Sequence, residues 1–408
     1  MESEAACQQS KPTKLMLPFS ILPPELNTDI LLRLPVSSVL KIRTVSKSCL
    51  AFTSTPEFIK AHLSVSSNHK LLLSFSQPNF NLKDCSLTSL LYSSVLDTSD
   101  LDYPMKTYFW FIVGSVNGLI CLSNRANELC LWNPSIRKHK ILPNFTFKFR
   151  DAARFIYGFG YDEFHDDYKV VACIYLHGSL PLFGDYVKIY SLKDDSWRSI
   201  NFPRDWVKSF NCGKFVNGKL NWAYRSYCTG PFWRKGWNII SLDLADEKWE
   251  KVETPCYSKE DGVFELGVLE NNLSVIHNGN YEGTDLDVWV MKEYGVKESW
   301  IKMFTFQYPH PHPHPCLMFL YNPPHLISNK GKILLMCGKT FLLYNLKDES
   351  ITYPKFTTVG SDLVSVESTY LESLVSPVLQ NDQGHNKNEV CESSHGRNCE
   401  MKADVRNN

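Results

Sequence analysis

Val216-Asn217-Gly218-Lys219-Leu220-Asn221-Trp222 is a tight turn leading into an apolar strand, and the chain repeats this unit. Asn-Gly between two strand runs is a strong hairpin signal, because a two-residue type I′ turn needs positive φ at both central positions. The unit recurs at Val116-Asn117-Gly118-Leu119-Ile120-Cys121-Leu122, at Glu270-Asn271-Asn272-Leu273-Ser274-Val275-Ile276 and at Asn329-Lys330-Gly331-Lys332-Ile333-Leu334-Leu335. Four hairpins are expected. A second unit is an apolar strand, a charged turn and a further strand often marked by tryptophan. Val187 to Ser191 leads to Trp197, Ile239 to Asp243 leads to Trp249, Val288 to Val290 leads to Trp300, and Phe341 to Asn345 leads to Ile351.

Subtraction gives 52 positions from Trp197 to Trp249, 51 from Trp249 to Trp300 and 51 from Trp300 to Ile351. A period near fifty with about four strands is that of a kelch-type propeller blade. A single blade has two apolar faces and two edges, so it is stable only between neighbours in a ring. Tyr168 to Val171, after the turn Asp162 to Asp167, supplies the repeat midway between Asn117 and Asn217. With the weaker material from Lys70 to Leu96, the count is about six or seven blades. Strand content alone also fits a β-sandwich or two stacked β domains.

Upstream the period changes. Pro23 and Pro24 suit a first helical turn, and Leu22, Leu26, Ile30, Leu31 and Leu34 recur at helical spacing until Pro35 stops the run. Ser37 and Ser38 are candidate caps for a second helix carrying Val39, Leu40, Ile42 and Val45. Thr55 before Pro56 is an N-cap and N1 pair for another helix ending near Leu63. Three or four short helices are expected, a unit too small to bury its leucines alone. Its remaining apolar face must meet the rest of the chain or another protein.

Leu22-Pro23-Pro24-Glu25-Leu26, Ile30-Leu31-Leu32-Arg33-Leu34-Pro35-Val36, the run Val39 to Cys49 and Phe58 to Leu63 resemble an F-box, the module that docks on the Skp subunit of cullin-RING ubiquitin ligases. Cys49 departs from the tryptophan usual there in plant members, and the loss of that anchor implies a weaker Skp interface. The segments 113–122, 131–138, 157–171, 187–197, 215–222 and 239–249 resemble the F-box-associated, kelch-related domain of plant F-box proteins. The resemblance implies a small all-α F-box module followed by a large all-β, kelch-type β-propeller. The division is a leader at 1–19, the F-box at 20–64, the propeller at 65–378 and a disordered tail at 379–408. It further implies a substrate-recognition adaptor of a Skp–cullin–F-box ligase, not an enzyme, with a Skp-family subunit and through it cullin and RING subunits as partners. The expected Skp contacts are Leu22, Pro23, Ile30, Leu31, Leu34, Pro35 and Val36, with Leu40 and Val45 holding the helices together.

Composition narrows the alternatives. Lys plus Arg equals Asp plus Glu at 43 each, so no net field attracts phosphate backbones or anionic lipid, and neither nucleic acid nor a membrane is expected as partner. The N-terminus lacks the basic start and apolar core of a signal peptide, and no run approaches a membrane span. Thirteen cysteines without a C-x-x-C pair point to free thiols in a reducing compartment, hence cytoplasm or nucleus. Cys121, Cys130 and Cys173 stand within strand patterns and read as core residues.

No Walker, zincin or nucleophile-elbow motif is present, and no cofactor is expected. Asp162, Glu163, His165, Asp166 and Asp167 hold metal-competent side chains, but their place between two strands reads as a turn. His310, His312 and His314 alternate with proline in an extended run and read as an exposed loop. The segment Tyr227 to Trp237 interrupts a strand pattern with Phe232, Trp233, Arg234 and Lys235, a composition enriched at interaction hot spots, and is the expected target-binding loop. A propeller that binds a small molecule or glycan, independent of ubiquitination, is the alternative that these aromatics leave open.

Overall fold

Asn117 and Gly118 (φ +53° and +83°), Asn217 and Gly218 (+51° and +74°) and Glu270 and Asn271 (+51° and +62°) each adopt the left-handed geometry of a two-residue hairpin turn, and Gly331 does so at +80°. This is the computed structural model of the chain, which describes residues 23–75, 81–92, 98–104, 110–124, 126–145, 153–176, 186–201, 211–225, 236–256, 263–278, 285–307, 325–329, 331–337, 340–353 and 363–378. All four expected hairpins join the first and second strands of a blade.

Six antiparallel sheets of four strands form the propeller. Blade 1 holds β1 (His69–Phe75), β2 (Asn81–Ser86) and β3 (Thr98–Asp100). Blade 2 holds β4 (Trp110–Val116), β5 (Leu119–Asn124), β6 (Leu129–Asn133) and β7 (Lys138–Ile141). Blade 3 holds β8 (Ala153–Asp162), β9 (Asp167–Leu176), β10 (Tyr186–Ser191) and β11 (Ser196–Ile200). Blade 4 holds β12 (Lys214–Val216), β13 (Lys219–Arg225), β14 (Trp237–Asp243) and β15 (Trp249–Val252). Blade 5 holds β16 (Val263–Leu269), β17 (Asn272–Asn278), β18 (Asp285–Met291) and β19 (Trp300–Gln307). Blade 6 holds β20 (His325–Asn329), β21 (Lys332–Cys337), β22 (Thr340–Asn345) and β23 (Ile351–Thr352). Blade 1 takes its first strand from the far end of the chain, β24 (Leu363–Leu371), which pairs with β1. The count is therefore six, because the N-terminal and C-terminal strand material makes one blade together. Trp197, Trp249, Trp300 and Ile351 all stand at or beside the start of an outer strand.

Alternation along each strand fills the seams. Val170 and Tyr190 turn toward Leu119 and Leu131 of blade 2, whereas Val171 and Ile189 turn toward Leu220 and Leu242 of blade 4. Both faces of these strands are buried, which explains runs such as Val170 to Ile174 that are apolar throughout. Leu71 and Leu73 of blade 1 meet Leu334 and Phe341 of blade 6, and this seam closes the ring. Cys121, Cys130 and Cys173 are buried free thiols.

The helical region has four helices, α1 (Pro24–Leu32), α2 (Val36–Arg43), α3 (Lys47–Thr53) and α4 (Pro56–Val65). Thr55 caps α4, its hydroxyl oxygen accepting the Phe58 N–H at 3.2 Å. Ser46 caps α3 in the same way, accepting the Cys49 N–H at 3.0 Å, and each bond satisfies one of the donors a helix start leaves unpaired. Ser37 and Ser38 are not caps, since Pro35 holds the N-cap position of α2 and its fixed φ starts the helix at Val36. A short helix, α5 (Leu87–Tyr92), links β2 toward β3. Among the described residues no helix is long and apolar enough to cross a membrane.

Candidate docking surface

The helices of the module bury one set of apolar side chains and leave another exposed. Leu31, Val36, Val39 and Phe58 form a buried core, joined by Leu374 from the segment after β24 and flanked by Ile136 from the turn between β6 and β7. The module is thus seated on the propeller through Ile136 and Leu374. Arg43 holds α2 to α3 by donating to the Thr53 carbonyl at 2.6 Å, and burial lowers its guanidinium below the ordinary arginine value. His62 Nε2 lies 2.8 Å from the Leu34 carbonyl and fixes α4 to the α1–α2 link.

The second set is exposed. Leu26 is 51 % exposed and Ile30 50 %, and Val45 and Leu50 follow at 69 % and 48 %. Leu26 and Ile30 are four residues apart and so lie on one side of α1. Large apolar side chains left this open on a module already seated on its own propeller are a candidate interaction surface. Pro23 and Pro35, at the N-caps of α1 and α2, are exposed as well. Of the other expected contacts, Ile30 faces outward, Leu31 and Val36 lie within the core, and Leu34 and Leu40 are half-buried against it. Val45 does not hold the helices together, because it sits in the α2–α3 link with its side chain in solvent. Leu22 lies outside the described residues. Leu26 and Leu50 were not among the expected contacts. The spacing of Leu26 from Ile30 is the signal that finds the first, and Leu50, on the short α3, has no comparable one.

The face of the propeller that carries the module follows from the meander. Lys60 of α4 reaches Asp166 in the β8–β9 turn at 3.4 Å, and Ile136 lies in the β6–β7 turn. The module therefore sits where first strands turn into second strands and third into fourth. Connections from second to third strands, and from one blade to the next, leave from the opposite ends of the strands. The strands that bracket 177–185, 226–236 and 308–324 thus open onto the face away from the module.

Residues 67–377 match the model of the F-box associated beta propeller domain. The chain belongs to this F-box-associated family. It is 31% identical over 371 residues to the F-box/kelch-repeat protein At3g23880 of Arabidopsis thaliana, covering 87% of this chain and 96% of that one. It is also 31% identical over 356 residues to the F-box protein CPR1 of Arabidopsis thaliana, covering 80% and 82%. The four helices ahead of the propeller form the F-box-like region of such proteins. In it Cys49 is fully buried in α3, at the place where a larger anchor was expected.

Tyr227, Phe232, Trp233, Arg234 and Lys235 lie outside the described residues, as does the histidine-proline run. Trp237 opens β14 half-buried and stacks on Phe264 of β16, centroids 5.6 Å apart, so it belongs to the seam between blades 4 and 5. The acidic turn is occupied by its own structure. Asp162 accepts the His165 N–H at 3.1 Å, lies 2.6 Å from His165 Nδ1, and accepts Lys169 Nζ at 2.7 Å. Burial works to raise its carboxyl, and the hydrogen bonds from Lys169 and His165 outweigh it, leaving Asp162 below the ordinary aspartate value.

Proposed function

We propose that the chain is a substrate-recognition adaptor of a Skp–cullin–F-box ubiquitin ligase. Membership of the F-box-associated family supports it, and so does the 82% to 96% coverage of relatives named as F-box proteins. The observation that carries it is the pair of half-exposed apolar residues Leu26 and Ile30 on a module whose inner face is already covered. In this reading Pro23, Leu26, Ile30 and Leu50 meet the Skp subunit, while Leu31 and Val36 support the helices from within. The target binds on the far face, where the long connections leave the blades. A target held there is kept clear of the docking helices, and the adaptor acts by raising the local concentration of target lysines without bond chemistry of its own. A cytoplasmic or nuclear location belongs to the same reading.

The test is co-purification with a Skp-type subunit from the same organism. The full chain should form a one-to-one complex, and Leu26→Asp combined with Ile30→Asp should lose it with the propeller still folded, because both side chains are already half-exposed and outside the buried core. Retention of the complex by the double variant would place the docking face elsewhere.

A further inference from the structure

Ring closure brings the end of β24 to the start of β1, with Leu371 opposite His69, which is where the helices enter the propeller. The chain then runs on as Glu372–Pro377 instead of leaving. The Glu372 N–H donates to the Asn68 carbonyl at 3.0 Å, and the Ser66 hydroxyl donates to the Glu372 carbonyl at 3.1 Å. Asn133, fully buried at the end of β6, donates from Nδ2 to the carbonyls of Ser373 at 3.1 Å and Val375 at 2.7 Å. Between these two, Leu374 is 2 % exposed and packs among Leu31, Val36, Val39 and Phe58 of the helices. A segment more than three hundred residues downstream of the module thus supplies part of its core (Ser66 to Glu372 is 306 positions).

A helical unit this small cannot bury its own apolar residues, so the missing part decides whether its helices hold their arrangement. We infer that Glu372–Pro377 is a clasp through which closure of the ring completes the core behind the docking helices, so that a Skp-competent face is presented only by a closed propeller. The biological consequence rests on the adaptor reading; the structural coupling does not.

Hydrogen exchange on four versions of the chain tests it: full length, ending at Pro377, ending at Leu371 with β24 retained, and Leu374→Ala. The chain ending at Pro377 should match full length. Ending at Leu371 should raise exchange in peptides from α2 and α4 at least tenfold while peptides from β9, β14 and β17 stay protected, and Skp affinity should fall by a similar factor. If that truncation loosens the blades as well, Leu374→Ala, which leaves the backbone of the clasp in place, decides. Faster exchange confined to the helices supports the inference. Unchanged helices, or equal loosening of helices and blades, overturns it. Exchange confined to the helices in a chain that never binds Skp would uphold the clasp and refute the adaptor reading.

Discussion

Trp300 donates its indole N–H to the carbonyl of Glu253 at 2.8 Å, tying the outer strand of blade 5 to the residue that follows the outer strand of blade 4. Trp249 does the same to Asn201 at 2.9 Å, and Trp197 to Pro143 at 2.7 Å. One recurrent tryptophan thus staples three successive seams at the rim, which is the physical reason for a fifty-residue tryptophan period.

Replacing Trp300 with Phe keeps most of the apolar contact and deletes the donor. Trp300 is the most buried of the three, at 8 % exposure. The loss should cost about 1 kcal/mol for the missing hydrogen bond, or about 2 °C in melting temperature for a domain this large. The same change at Trp197, whose bond is more exposed, should cost less. Thermal melts of the two variants check the order, and equal losses would contradict the staple.

Two turn glycines separate strain from collision. Gly118 and Gly218 both need positive φ, so alanine at either should cost about 1 kcal/mol in backbone strain. At Gly218 an added Cβ meets nothing within 4 Å among the described residues, whereas at Gly118 it would stand 2.6 Å from the Leu371 carbonyl and from Ser373 Cβ. Gly118→Ala should therefore destabilise clearly more than Gly218→Ala and also disturb the clasp. Denaturant midpoints of the pair give the comparison.

The hairpins and the outer-strand tryptophans were legible because their causes are local, positive φ at Asn-Gly and a side chain that repeats once per blade. The blade count was legible only to within one, because blade 1 is assembled from residues far apart in the chain and the pairing of β1 with β24 leaves no short-range mark. The candidate docking face was half legible. Leu26, Ile30 and Leu31 fall within one helical arc, and only the seat on Ile136 and Leu374 decides that Leu31 turns in while the other two turn out. Val45 has the apolar character of a core residue, yet the α2–α3 link puts it in solvent.

Glu265, on β16, should make stability depend on pH near neutrality. Its carboxyl is buried, Asn211 donates to Oε2, and Oε1 has no partner among the described residues. Burial raises its pKa from 4.5 to about 7 against the pull of Lys214 and Asn211. A carboxyl raised in the folded state binds its proton more tightly there, so its contribution is fully present below pH 4.5 and is lost as pH rises through about 7. The full swing is about 3 kcal/mol. Relative to Glu265→Gln, the natural chain should lose stability as pH rises from 4.5 to about 7 and change little above that; a gap between the two that stays constant with pH would rule this out.

Lys169 carries a buried ammonium whose partners the seam between blades 3 and 4 cannot replace. Its Nζ donates to Asp162 at 2.7 Å and to the Leu244 carbonyl at 2.6 Å, with Glu247 at 3.6 Å. Lys169→Met would leave Asp162, itself buried, with His165 as its remaining counterpart, and removing one member of a buried pair typically costs about 3–5 kcal/mol. The nearby imidazole softens this, so the expected loss is at the lower end of that range. Asp162→Asn in the same chain removes the uncompensated charge, so the double variant should be more stable than Lys169→Met alone. A strictly additive cycle would show that the pair is not coupled, and that the seam between these blades is held by Leu220 and Leu242 without it.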